Sequence, residues 1–386
     1  MAMFRFLTAG ESHGPCLTAV IEGLPAGISV DIERINRDLA RRQQGFGRGG
    51  RMKIEQDRVE ILSGMRFGQT LGSPLTLTVR NRDWENWQER MSAAGEPAGP
   101  AVTWPRPGHA DLTGVLKYQR QDVRDILERA SARETAARVA VGAVAKQLLA
   151  TVGIDIASHV VNIGGITIEP YPAYQHRDVA KRAAASELGC IDGAAEGKMK
   201  EIIQVAKDQG DTLGGIFEVV ATGAMPGLGS YVQWDRRLDT RLGGALLSIP
   251  AVKGVEVGEG FNYAALPGSR AHDEIFYDSR QGYYRQTNRA GGIEGGMSNG
   301  GDIVVRAVMK PIPTLMTPLA SVDIATKQPG RANTERSDVC AVSAAAVVGE
   351  AMAAIILAEA LLEKFGGDSA ADLAAAVDNY RRRLAP

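Results

Sequence analysis

The chain has 386 residues, of which 44% are hydrophobic and 23% charged, a composition normal for a globular protein with a sizeable core. Its formal net charge of -1 excludes the strongly basic footprint of a nucleic-acid-binding domain. Aromatic residues make up 5% and glycines number 45, so backbones pack closely and many turns can take positive φ. Cys16, Cys190 and Cys340 are odd in number and form no CxxC pair. That points away from a disulfide framework or a zinc site and toward a reducing compartment. The first residues run straight into a Gly-Glu-Ser-His-Gly turn without a charged leader and apolar core, so a cytoplasmic chain with no signal peptide is expected.

In chain order, short strands are predicted at 17–22, 59–62 and 75–79. Residues 93–103, rich in Ala, Gly and Pro, read as a surface loop. A long helix is predicted over 122–150, where Val123, Ile126, Leu127, Ala130, Val141, Val144 and Leu148 recur at helical spacing. Asp122 would cap it and Gly153 would stop it. Further strands are predicted at 163–168, 216–221 and 303–309. A second long helix is predicted over 337–365, with Ser337 as N-cap, Asp338 in the first turn and Gly366-Gly367 as C-cap pair. Its stretch 339–358 is apolar enough to cross a bilayer, but Glu350 near the middle makes a buried core helix the better reading. The run Val20 to Gly27 weakly echoes Val220 to Gly227, each a strand, a Gly and a Pro-containing turn ending in Gly. A duplicated sheet-and-helix unit or a shared turn solution accounts for that echo. No composition break marks a boundary, and a single mixed α/β domain spanning 1–386 is expected.

The residues that can do chemistry cluster beside turns. Of five histidines, His13 lies in Gly10-Glu11-Ser12-His13-Gly14 and His109 in Arg106-Pro107-Gly108-His109-Ala110-Asp111. Such turns hold an imidazole on an exposed, fixed backbone, as a proton donor requires. Arg41, Arg42, Arg48 and Arg51 stand on a Gly-rich stretch suited to forked recognition of phosphate and carboxylate. Arg106, Arg133 and Arg336 add anion-binding candidates, so a ligand with several negative charges is indicated. Small residues around Ser131 and Ala132 would admit a flat ring or a phosphate. The loop Gly291 to Gly301 lacks a Gly-Lys-Ser/Thr ending, so it is no P-loop, and no Rossmann fingerprint joins a strand to a helix. Lys310-Pro311-Ile312-Pro313-Thr314 is a stiff turn whose Lys310 and Thr314 could hold a phosphate. A helix start near Arg336-Ser337-Asp338 is either routine capping or an anion site.

Taken together and in order, these motifs closely resemble the chorismate synthase family. The resemblance implies a β-α-β sandwich, an α/β (α+β) fold with long helices between antiparallel sheets, assembled as a homotetramer. It implies elimination of phosphate from 5-enolpyruvylshikimate 3-phosphate with bound reduced FMN and no net redox change. FAD and NADP join FMN as redox ligands associated with such proteins, and NADPH is a possible reductant. By the same resemblance His13 would protonate the leaving phosphate, His109 would sit near flavin N1, and Asp338 would act through flavin N5. The flavin would lie on Ser131, Ala132, Arg133, Ala251, Gly295, Lys310, Pro311, Ile312, Pro313, Thr314 and Arg336. Substrate or NADP would meet Ser12, Arg42, Arg48, Arg51 and Arg106. No metal, nucleic acid or membrane is expected. The competing readings are a flavin-dependent reductase of another anionic substrate and an RNA- or ligand-binding protein using the Arg/Gly segment.

Overall fold

The structure is a computed structural model that describes residues 4–50, 54–170, 174–335 and 337–386. Arg51 and Arg336 therefore lie outside the described residues. Four strands form a first antiparallel sheet: β1 (Arg5–Ala9), β2 (Cys16–Glu22), β3 (Val59–Ser63) and β4 (Leu75–Arg80), in the order β1-β2-β4-β3. A second antiparallel sheet holds β5 (Asp155–Ile163), β6 (Gly215–Thr222), β7 (Val252–Val257) and β8 (Ile303–Met309), in the order β5-β6-β8-β7. A two-residue strand, Ile166–Thr167, extends the β5 edge.

The helices that matter to the site are α1 (Ile32–Gln43), α2 (Asp111–Tyr118), α3 (Arg124–Ala130), α4 (Thr135–Ala150), α5 (Gly193–Asp208), α6 (Leu238–Leu247) and α7 (Val342–Phe365). Helix α4 packs on the first sheet, α7 on the second, and the two helices pack on each other. The result is sheet, helix layer, sheet, with one hydrophobic core running through all three. That is the β-α-β sandwich the resemblance implied.

With α2, α3 and α5 as insertions, each half runs strand, strand, helix, strand, strand, long helix, and the two sheets share one strand order. Both break register in the pairing of their third and fourth strands, at the end of β3 (Ile61/Ser63) and at the start of β7 (Val252/Gly254). After each second strand the chain passes a glycine at positive φ, Gly23 at 85° and Gly223 at 77°. A second follows, Gly27 at 82° and Gly227 at 86°. The echo in the sequence thus marks a repeated unit, not only a shared turn.

Two helices differ from their predicted spans. The run predicted over 122–150 is broken: α3 ends at Ser131, which is extended (φ -64°, ψ 141°), and a 3-10 turn Ala132–Glu134 leads into α4. Ser131 accepts from the Arg133 N–H, and the carbonyls of Ala132 and Arg133 accept from the guanidinium of Arg42. Side chains thus satisfy the backbone groups that the break releases. The second helix starts at Val342 rather than 337, because residues before it are spent elsewhere. The Val339 N–H donates to Gly47 O, and Asp338 accepts from the Gly49 N–H at 2.6 Å. Ser337 therefore caps no helix. The strand run 163–168 is a hairpin corner, turning at Gly164 (φ 56°) and Gly165 (φ 93°). Residues 93–103 carry neither helix nor strand, as expected.

Helix α7 is apolar on every side because it is enclosed on every side, and 89% of its most apolar 18-residue window is buried. Its one interior charge, Glu350, takes two bonds of 2.9 Å from the fork of Arg41, a third from Ser158 Oγ at 2.9 Å, and an ion pair from Lys146. Burial opposes its ionisation, yet Lys146 and Arg41 hold its carboxyl below the usual carboxylate range.

Candidate active site

A cavity of ≈ 590 Å³ opens where the two halves meet. The 12–13 turn, the end of α1, the α3–α4 break, the 106–110 turn, residues 249–251 and 309–314, and the start of α7 all line it. The structure brings together His13, His109, Asp338, Ser12, Arg42, Arg48, Arg106, Ser131, Ala132, Arg133, Ala251, Lys310, Ile312, Pro313 and Thr314. Pro311 lies between lining residues without lining the cavity itself. Gly295 is not among the lining residues; it turns the small hairpin between Ile293–Glu294 and Met297–Ser298 at φ 57°.

Both imidazoles are held by buried carboxylates through Nδ1. His13 Nδ1 lies 3.0 and 2.9 Å from the two oxygens of Glu128, and its ring stacks on Trp87 with centroids 4.1 Å apart. His109 Nδ1 lies 2.5 Å from Asp111 Oδ1. A carboxylate can only accept, so the contact calls for a proton on Nδ1 and turns Nε2 of His13 to the cavity; at His109 the Arg106 guanidinium also approaches the ring, 3.1 Å from Nδ1 and 3.5 Å from Nε2. Burial opposes the charge on Asp111 and Glu128, but hydrogen bonds from their histidines and from Arg106 and Arg124 hold both carboxyls below the usual range.

The arginines divide by what they already hold. Arg42 gives Nε to Thr135 Oγ1 at 3.0 Å and faces Asp57 at 3.5 Å; burial, only partly offset by Asp57, pushes its guanidinium down to about 10. Arg133 binds Asp57 at 2.6 Å and Asn81 at 2.9 Å. These two brace the α3–α4 break as much as they line the cavity. Arg48 pairs with Asp338 at 3.2 Å, and Arg106 is fixed by Asp111 at 2.8 Å and Thr314 Oγ1 at 3.0 Å. Lys310 Nζ donates to Gly108 O at 2.5 Å. Gly49 is required here, since a Cβ would lie 2.8 Å from Ser337 O and hold the arginine loop away from Asp338. Ala251 carries a positive φ of 69°, strain of the kind stored at ligand sites.

Among the described lining residues, Arg42, Arg48, Arg106, Arg133 and Lys310 outnumber Asp83, Glu335 and Asp338. Ile249, Met309, Ile312, Ala344, Ala345 and Val348 add apolar and small side chains to the same wall. A cavity wall that combines apolar and small residues with several cations fits a flat ring with a phosphate tail, so the residues present suit a flavin mononucleotide beside an anionic substrate.

The chorismate synthase family model matches residues 4–362. The chain belongs to the chorismate synthase family. It is 60% identical to the chorismate synthase of Trichlorobacter lovleyi, over 97% of this chain and 98% of that one. It is 58% identical to that of Geobacter sulfurreducens, over 98% of each. A crystal structure of chorismate synthase superposes with a TM-score of 0.81 at 44% identity, covering 99% of this chain and 98% of that one. Within this chorismate synthase framework the sequence reading missed Glu128, Trp87 and Asp57, and left Asp111 without a role. Only Asp111, three residues from the turn glycine of its motif, carried a local signal.

Proposed function

We propose that this member of the chorismate synthase family, a carbon–oxygen lyase, converts 5-enolpyruvylshikimate 3-phosphate to chorismate and phosphate. The reaction is an anti-1,4-elimination at the last common step of aromatic amino-acid biosynthesis: a ring C6–H bond and the C3–O bond break, and the ring gains a double bond. The observation that carries this reading is the pair of carboxylate-held imidazoles lining one cavity together with four arginines and a lysine. Reduced FMN, when bound, lends electron density to the breaking C–O bond and recovers it, so no net redox change results.

The chain's own residues do the rest. Arg48 and Arg106, held in orientation by Asp338 and Asp111, clamp carboxylate and phosphate oxygens of the substrate. Lys310, Thr314, Ser131 and Ala251 would hold the cofactor, and Ile312, Ala344 and Val348 supply apolar wall that would exclude water from it. His13 gives a proton from Nε2 to the departing phosphate. His109 would donate a hydrogen bond to the cofactor, and the Asp338 carboxylate would help to take the proton lost from C6. The reading extends to one catalytic domain, 1–386, in a cytoplasmic homotetramer.

The test is an anaerobic assay with purified protein, the shikimate ester and chemically reduced FMN, following chorismate absorbance and phosphate together. Equal yields with no net oxidation of flavin are expected, and His13→Ala or His109→Ala should slow turnover by at least about 10²-fold. An ester left intact refutes the function. A parallel arm with oxidised FMN and NADPH asks whether NADPH serves as reductant; stoichiometric loss of NADPH with product would instead favour a reductase.

A further inference from the structure

We propose that Glu128 is the positioning residue for His13, acting on the reaction only through that imidazole; the proposal rests on the reading of His13 as proton donor. Glu128 is 2% exposed and sits in the last turn of α3. Its carboxylate meets His13 three times: twice at Nδ1 and once at the backbone N–H, at 2.9 Å. The backbone is tied as well, since the Ser12 N–H donates to Glu128 O at 3.0 Å. A part-buried imidazole gripped at main chain and side chain by one residue 115 positions away is more than a charge pair.

Geometry explains why the grip matters. A half-turn of the ring would exchange Nδ1 for Cδ2 and carry Nε2 away from its place, losing both contacts to the carboxylate. Stacking on Trp87, at an interplanar angle of 27°, holds the ring plane in the other direction. The orientation that remains puts the Nδ1 proton on Glu128 and leaves Nε2 as the nitrogen able to serve the cavity.

Charge completes the argument. Arg124 donates to Glu128 at 2.7 Å and to Glu335 at 3.2 Å, and its guanidinium carbon lies 4.9 Å from the Trp87 ring centroid. This ion-pair chain fixes the Glu128 carboxylate in place, and through it the orientation of the His13 ring.

The test compares Glu128→Gln, Glu128→Ala, His13→Ala and the double variant His13→Ala/Glu128→Ala in the anaerobic assay. Glu128→Gln and Glu128→Ala should lower kcat by about 10-fold or more with the ester KM within about threefold, the pattern of a lost transition-state contribution. The double variant should be no slower than His13→Ala within about twofold, because Glu128 has nothing to act on without the ring. A double variant slowed by the product of the two single losses, or a Glu128→Gln enzyme at the full rate, overturns the proposal. Should His13→Ala itself run at the full rate, the donor assignment falls, and the proposal with it; a slow His13→Ala beside a fast Glu128→Gln removes Glu128 alone. The near-isosteric Gln variant keeps the site filled if Glu128→Ala does not fold. Histidine-¹⁵N spectra of flavin-free protein give a second readout: the His13 Nδ1-protonated pattern should be lost in Glu128→Ala or weakened in Glu128→Gln, and an unchanged pattern in both refutes the grip.

Discussion

Gly142, in the middle of α4, lies where that helix crosses α7. A Cβ placed there would sit 2.7 Å from Ala351 O and closer still to Ala351 Cα and Cβ. Carbon atoms in contact prefer about 3.5–4.0 Å, so Gly142→Ala forces the helices apart by roughly an ångström. No rotamer relieves a clash with backbone, which places the cost at the upper end of the ~1–3 kcal/mol typical of overpacking. Ala gains about 1 kcal/mol over Gly in a helix interior, leaving a net loss of about 2 kcal/mol. Gly197, exposed in the middle of α5, is the control: a Cβ there meets nothing within 4 Å, so Gly197→Ala should stabilise by about 0.5–1 kcal/mol. Urea unfolding of the two variants beside the parent reads the difference, with melting of Gly142→Ala lower by roughly 2–4 °C. The same substitution thus has opposite signs in two helices. If Gly142→Ala matched or exceeded the parent, the close crossing would not be what holds the two halves together.

Glu350→Gln should destabilise by about 3 kcal/mol near neutrality, the lower end for breaking a buried pair, because it leaves Arg41 and Lys146 with Asp38 as their shared counter-charge. The folded carboxyl titrates below its unfolded value, so its stabilisation is complete above the unfolded value and fades as pH falls through the folded one. The gap between parent and variant should accordingly narrow on acidification below about pH 4.3, measured as unfolding midpoints across pH; a constant gap refutes the ion-pair account. Ala251→Gly should raise stability by about 0.5–1 kcal/mol, since the left-handed backbone at φ 69° costs an L residue about 1–2 kcal/mol and glycine's extra unfolded-state freedom offsets only part of it. An Ala251→Gly protein that melts earlier than the parent would show that the strain is not where the dihedral places it.

How much of this was legible in the chain depends on how far apart the deciding residues stand. The strands at 17–22, 59–62, 75–79, 216–221 and 303–309 and the two long apolar helices showed themselves, and so did the repeat, through Gly23 and Gly27 against Gly223 and Gly227, whereas β1 and β5 were passed over. The break at Ser131 did not, because helical spacing of small and apolar residues continues straight through it. What opens the chain there is Arg42, some ninety residues earlier, which takes the freed carbonyls of Ala132 and Arg133. The false start at Ser337 has the same origin: a capping pattern was outcompeted by bonds from Asp338 to Gly49 and Arg48 across the fold. Strand β7 reads Val-Lys-Gly-Val-Glu-Val, an alternation weakened by its central glycine and therefore passed over. The histidines and arginines of the site stood out by their turns, whereas the carboxylate that orients His13 lies 115 residues away with no sequence pattern to connect them.

The repeat also explains why the cavity lies where it does. The Ser131–Thr135 stretch leads into α4 and the 338–341 stretch into α7, so the equivalent long helices of the two halves both begin at the cavity wall. From Thr135 to Gly142 and from Val342 to Ala351 the rise is about 10 Å and about 14 Å at 1.5 Å per residue, so the two N-termini stand at similar distances from the crossing. Each brings the positive end of a helix dipole toward the same space, which favours anions before any arginine is counted. The guanidinium groups add to a field the backbone has already set, and they can be held in ion pairs with Asp338 and Asp111 without leaving the cavity neutral. It follows that the crossing and the site are mechanically one feature: whatever separates Gly142 from Ala351 must also displace Ala344, Ala345 and Val348. Gly142→Ala should therefore weaken reduced-FMN binding, and Gly197→Ala should leave it unchanged.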